Sequence, residues 1–228
     1  DCTRVISALG RQALWEEAVE VVAFMRRQAS LKANLRPTGI TCSAVISACA
    51  RGQQWARAVA TLREMQEGSL ELDAYAYSAA INACERGSRW EWSLWLLLEM
   101  PRNSVEPNAV TYNAALSSCR CCSQWEQGLR LFEDMQQQAL QSDVVTCNTA
   151  ISTCGKGWHW QPALMLLESM EQRGPPADTI SYNSVIAASE KGTQWAWPLV
   201  MLREMRRKTL EPDLITLSAA ISLLEKSA

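Results

Sequence analysis

Seven small polar residues recur in one register through the 228-residue chain: Thr3, Ser43, Ser78, Asn113, Asn148, Asn183 and Ser218. After a first step of 40 residues, every step is 35. Ser, Thr and Asn compete with the backbone for hydrogen bonds and are unfavourable inside a helix. A merely solvated helix face would carry Glu, Lys, Gln and Arg at these places, and none appears. Hydroxyls and amides in register can donate to and accept from a ligand's polar edge, one unit of sequence at a time.

Three further columns share the period. Eight residues after the first come Arg11, Arg51, Arg86, Cys121, Lys156, Lys191 and Lys226, six of them basic in a chain of formal net charge −2. A cation can simply complement a helix C-terminus. Any of the last few residues would serve that purpose, however, and the charge keeps one register, as a phosphate track would. Another column holds Thr38, Asp73, Asn108, Asp143, Asp178 and Asp213, all good N-caps for a following helix. Capping alone accounts for them, and it does not exclude contact with a ligand. Finally, Ile40, Tyr75, Val110, Val145, Ile180 and Ile215 stand three residues before the Ser/Asn column. At about 100° per residue they project near the same side as small residues such as Ser47 and Ser152.

The elements that position these columns follow from the repeat itself. Trp recurs at 15, 55, 90, 125, 160 and 195, with Met ten residues later at 25, 65, 100, 135, 170 and 205. From each Trp, apolar or small residues follow at helical spacing, as in Trp125, Gly128, Leu129, Phe132 and Met135. A preceding helix carries its own stripe, as in Tyr112, Ala115, Leu116 and Cys119. Between the two stands a basic residue and then Gly, in Arg51-Gly52, Arg86-Gly87, Lys156-Gly157 and Lys191-Gly192. Gly just past a helix end is expected to take the left-handed conformation that closes it. The Trp column is expected to be structural, each ring burying on the order of 150–250 Å².

Neither helix can bury its stripe alone, so the units must stack. The expected fold is all-α: a right-handed α-solenoid of about six and a half 35-residue helix–turn–helix repeats, spanning 1–228 as one array. The repeats run 1–38, 39–73, 74–108, 109–143, 144–178 and 179–213, with a partial repeat at 214–228. The first holds five extra residues, placed around Leu31 to Pro37 in its closing loop.

Composition narrows the classes. Hydrophobic residues make up 48% of the chain, with only ten Gly and eight Pro, which argues against disorder. No window approaches the roughly twenty apolar residues needed to span a bilayer, and no transit peptide is visible. The chain opens on Asp1, which reads as a segment of something longer or a processed product. Nine Cys without a leader suggest reduced thiols.

The 35-residue period, the run Val110-Thr111-Tyr112-Asn113 and the run Leu129-Arg130-Leu131-Phe132-Glu133-Asp134-Met135 resemble the pentatricopeptide repeat family. The Trp that opens each second helix departs from the Leu common in plant members. The resemblance implies a binder of single-stranded RNA that reads one base per repeat. It assigns base reading to the pairs Ser43/Asp73, Ser78/Asn108, Asn113/Asp143, Asn148/Asp178 and Asn183/Asp213. Ile40, Tyr75, Val110, Val145, Ile180 and Ile215 would sandwich the bases, and Arg51, Arg86, Lys156 and Lys191 would meet phosphate. The family's pairing pattern then spells 5′-GAUUU-3′. It further implies action in mitochondria or chloroplasts on RNA processing, stability, editing or translation, with other RNA-processing proteins as further partners. The rival reading is a protein- or peptide-binding scaffold of the same architecture.

Catalytic and metal signals are weak. Cys119-Arg120-Cys121-Cys122 contains a CxxC, but Cys119 belongs to a periodic column with Cys49, Cys84 and Cys154. Four zinc ligands at ordinary spacing are lacking, and the zinc-deaminase pattern is missing. His159, the single His, reads as a surface residue without a partner. No phosphate loop or nucleophile elbow appears. The chain is expected to be no enzyme, to need no cofactor or metal, and to have no membrane partner.

Overall fold

The computed structural model describes residues 2–12, 14–28, 37–68, 70–157, 159–189, 196–214, 216–219 and 221. Most of the first repeat's closing loop, Trp195, Lys191-Gly192, Ile215 and Lys226 lie outside them. Among the described residues the regular structure is helical. The elements are α1 (Cys2–Arg11), α2 (Trp15–Gln28), α3 (Gly39–Arg51), α4 (Trp55–Glu67), α5 (Ala74–Arg86) and α6 (Trp90–Arg102). They continue with α7 (Ala109–Cys121), α8 (Trp125–Gln137), α9 (Val144–Lys156), α10 (Trp160–Arg173), α11 (Thr179–Ser189) and α12 (Ala196–Arg207). None is long and apolar enough to cross a membrane.

The chain forms two compact units, residues 1–118 and 119–228. In the first, α3 packs on α1, α2, α4 and α5, and α5 packs on α4 and α6. The second repeats the pattern: α9 lies against α8, α10 and α11, and α11 against α10 and α12. Helices α3 and α9 thus each meet their own partner helix, the preceding one and the next odd-numbered helix, as the all-α repeat reading requires.

The stripes read from sequence form these contacts. Tyr77, Ala80, Ile81 and Cys84 of α5 are buried, as are Cys147, Ala150, Ile151 and Cys154 of α9. From the second helices, Met25, Met65, Met100, Met135, Met170 and Met205 are all buried. Burial pushes the Cys49 thiol up to about 11 and those of Cys84, Cys119 and Cys154 up to about 12, so this column packs as protonated, apolar thiols.

The turns correct one expectation. No described Gly has positive φ; Gly52, Gly87 and Gly157 lie near −80°. The left-handed residue is the next one, Gln53 at φ 58° and Ser88 at φ 53°. The amides of Gln54 and Arg89 then bond back to the carbonyls of Cys49 and Cys84, both at 2.9 Å, closing a Schellman turn one residue later than anticipated. Gly is needed for space instead. A Cβ at Gly157 would stand 2.9 Å from Cδ1 of Trp125, and one at Gly52 would also run into Trp15. Trp15, Trp55, Trp90, Trp125 and Trp160 are half-buried. His159 is exposed as anticipated, but it does have a partner: its ring lies 4.0 Å from that of Trp125, tilted by 32°.

Candidate nucleic-acid interface

Every described helix start that follows a repeat boundary is capped by the last residue of the preceding repeat. Asp73 Oδ1 accepts the Ala76 amide at 2.7 Å, Asn108 Oδ1 that of Thr111 at 3.0 Å and Asp143 Oδ1 that of Thr146 at 2.7 Å. Asp178 and Asp213 do the same for Ser181 at 2.9 Å and Thr216 at 2.8 Å, and Thr38 Oγ1 accepts from Thr41 at 3.4 Å. Capping fixes each side chain at a helix start. In each residue one side-chain oxygen makes the cap.

Two of the pairs to which the resemblance assigns base reading are in hydrogen-bond contact at these caps. Asn148 Nδ2 donates to Asp178 Oδ1 at 3.0 Å. Asn183 Nδ2 lies 3.2 and 3.1 Å from the two oxygens of Asp213. Burial raises the Asp178 pKa, but the Ser181 amide, the Asn148 amide and the Ser181 hydroxyl together outweigh it and hold the carboxyl below its ordinary range. Asp143 is likewise lowered, first by the Thr146 hydroxyl and then by the Thr146 amide. Asn113 belongs to the first unit and Asp143 to the second.

Serine at the fifth place of a repeat behaves differently. Ser43 Oγ donates to the Gly39 carbonyl at 2.9 Å and Ser78 Oγ to that of Ala74 at 2.7 Å. With its single hydrogen used inside the helix, each hydroxyl can offer only lone pairs outward.

The first unit contains two adjacent recesses built from the columns. One, of 280 Å³, is lined by Ile40, Ser43, Ser47, Arg51, Asp73 and Tyr75, together with Gly10 and Ala44. The next, of 540 Å³, gathers Tyr75, Ser78, Asn82, Arg86, Asn108 and Val110 among its walls. Each therefore sets hydrogen-bonding groups between two apolar side chains, with a cation alongside. Ile40, Tyr75, Val110, Val145 and Ile180 are between 60 and 73% exposed, an apolar ladder that no packing within their units explains. Arg51, Arg86 and Lys156 are exposed and end α3, α5 and α9, so helix-end and anion-binding roles remain compatible. Lys191 and Ile215 fall outside the described residues.

Sequence reasoning missed Asn82, which lines the larger of these two recesses, and the hydroxyls of Ser181 and Thr216, which touch Asn148 and Asn183. The signal was available as a further column, Thr41, Thr111, Thr146, Ser181 and Thr216, broken only by Ala76.

Stacked helix pairs in periodic register define a helical-repeat protein. Family models agree on which: "PPR repeat family" matches 107–156 and 142–191, "Pentatricopeptide repeat domain" 60–120, and "PPR repeat" 2–28 and 40–70. The chain belongs to the pentatricopeptide repeat family. Among solved structures it is similar to the pentatricopeptide repeat protein PPR10 from maize, with 28% identity and a TM-score of 0.75 over 99% of this chain and 32% of that one. PPR10 in complex with an 18-nt psaJ RNA element matches at 26% identity and TM-score 0.77, with the same coverage. The PPR domain of Arabidopsis thaliana protein-only RNase P 1, solved with tRNA, shares the fold at 12% identity and TM-score 0.66, over 79% of this chain and 95% of that one. The chain thus spans about a third of the PPR10 chain. No curated protein shows significant sequence similarity to it.

Proposed function

We propose that the chain binds single-stranded RNA selectively, one base per repeat, with 5′-GAUUU-3′ as its core site. The observation that carries this is the recess joining Ile40, Ser43, Asp73, Tyr75 and Arg51: two apolar walls, a hydrogen-bonding pair and a cation, repeated one step on with Tyr75, Ser78, Asn108, Val110 and Arg86. A base needs apolar faces to stack on, an edge matched in donors and acceptors, and a cation for its phosphate.

Donor and acceptor matching supports the base string. Ser43 and Asp73 offer two acceptors, which suit the N1–H and N2–H donors on guanine's pairing edge. Ser78 offers an acceptor, and the Asn108 amide a donor because its oxygen is taken by Thr111 N–H; adenine's N6 amino group and N1 complement them. Asn148 and Asp178 place an amide donor beside a carboxylate, the complement of uracil's carbonyl and N3–H. Asn113/Asp143 and Asn183/Asp213 carry the same residue types and read as uracil too. PPR10 with its bound RNA element is a precedent for this use of the fold. Action in a mitochondrion or chloroplast, on RNA processing, stability, editing or translation, belongs to the same proposal.

The test is selection of bound RNAs from a random pool, with binding to a neutral peptide library measured alongside. Enrichment of GAUUU is the expected result. An unenriched RNA pool with peptides retained would favour the scaffold reading and overturn this one.

A further inference from the structure

The hydroxyl of Ser181 meets three nitrogen and oxygen atoms at once, with Met170 Sδ further off at 3.9 Å. It lies 2.6 Å from Asn148 Oδ1 and 2.9 Å from Asp178 Oδ1, and it accepts the backbone N–H of Asp178 at 3.2 Å. A serine has one hydrogen to give. Asp178 Oδ1 already accepts from the Ser181 amide and from Asn148 Nδ2, and the shorter approach is to Asn148 Oδ1. Asn148 is therefore held at both ends, its nitrogen by the carboxylate and its oxygen by the hydroxyl.

Thr216 repeats the arrangement one repeat later. Its hydroxyl bonds Asn183 Oδ1, lies 2.7 Å from Asp213 Oδ1 and accepts the Asp213 amide at 3.2 Å. Where serine occupies the fifth place, the arrangement changes. Thr111 follows the Ser78 repeat and turns its hydroxyl to the Asn108 carbonyl at 2.8 Å, while still accepting the Asn108 amide at 2.9 Å. After Ser43 the equivalent residue is Ala76, capped through its amide alone. The two-ended hold is seen at Asn148 and Asn183, whereas Asn113 Oδ1 is buried without a hydrogen-bond partner and the Thr146 hydroxyl turns to Asp143 Oδ1 instead.

We propose that Ser181 and Thr216 are positioning residues for base choice, pinning Asn148 and Asn183 so that the amide donor, not the amide oxygen, is fixed beside the carboxylate at the reading edge. This rests on the RNA reading above. An amide's oxygen and nitrogen ends are nearly the same size but opposite in hydrogen-bonding character, so a plane free to turn discriminates poorly between bases that differ in the same sense. The hydroxyl thus sets selectivity from one repeat further along the chain, without being one of the reading pair.

Ser181→Ala removes the hydroxyl and keeps the amide cap to Asp178. Preference for uracil at the fourth base, measured with GAUNU RNAs, should fall about two- to tenfold, the worth of one hydrogen bond, with the other four positions unchanged. In NMR spectra of the RNA-free protein, the Asn148 side-chain amide pair should move towards the shifts of a free asparagine. Thr111→Ala, which loses the same capping hydroxyl, should leave the preference at the second base unaltered. Lower melting temperatures for both variants with every base preference intact would mean a capping role only and would overturn the proposal. Unchanged Asn148 amide signals in Ser181→Ala would overturn the hold itself. A native protein with the amide held but no base preference would instead sink the RNA reading, and this role with it.

Discussion

A Cβ built on Gly87 would stand 2.5 Å from Cδ1 of Trp55, the residue that opens the second helix of the preceding repeat. Arg89 covers the same ring, its guanidinium carbon 5.2 Å from the ring centroid, so the Trp is clamped between the next repeat's turn and a cation. Ser88, between them, carries the positive φ. Gly87→Ala should therefore destabilise the protein by about 1–3 kcal/mol through overpacking. Ser88→Gly should stabilise it by about 1 kcal/mol, by relieving a left-handed non-glycine residue. Urea melts of both variants check this; the opposite order would mean that turn conformation, not space, selects Gly87.

Gly128 and Thr153 form a second contact that tolerates no extra atom, a Cβ on the glycine lying 2.8 Å from Thr153 Cγ2. The threonine cannot turn aside cheaply, because its hydroxyl bonds the Thr149 carbonyl at 2.7 Å. Gly128→Ala should cost about 1–2 kcal/mol in the native background, the clash exceeding the helix-propensity gain. With Thr153→Ala the same change should become favourable by a few tenths or more. Equal effects in both backgrounds would show that the two sites do not couple.

The cation ladder should set affinity rather than base choice. Replacing Arg51, Arg86 and Lys156 by Gln should weaken all RNAs alike and flatten the log K versus log salt slope by about 0.7 per residue. A triple variant with the native slope would leave these side chains only the helix ends they complete.

Acid should loosen the cap-and-pair elements. Asp143 and Asp178 have folded pKa values below the ordinary 3.8. Their contribution is thus complete above that value and lost as pH falls through the lower, folded one. Asp143→Asn with Asp178→Asn keeps an acceptor oxygen but removes the titration. Below pH 4 the native melting temperature should fall more steeply than the variant's; parallel curves would contradict the assignment.

Much of this was legible in the sequence because the period doubles as a ruler. Trp15, Trp55, Trp90, Trp125 and Trp160 each begin a helix, and the Met ten residues on is buried in each repeat. The Ser/Asn and Asp/Asn columns could be followed because their register survives every loop, and the family resemblance supplied their pairing. Relations that cross between repeats were not legible. Gly87 looks like an ordinary turn glycine until Trp55, thirty-two residues earlier, is placed against it. Ser181 looks like a helix-start hydroxyl until Asn148 is brought within 2.6 Å. His159 seemed isolated for the same reason, its partner Trp125 lying one repeat back.

The most direct test of base reading is a swap inside one repeat, Asn148→Ser with Asp178 retained. Asn148 donates to Asp178 at 3.0 Å, whereas a serine there should turn its hydrogen to the helix, as Ser43 does to Gly39, and present two acceptors with the aspartate. Competition binding should then move the preferred site from GAUUU to GAUGU, with the other positions unmoved. A folded variant that still prefers uracil at the fourth base would contradict the account.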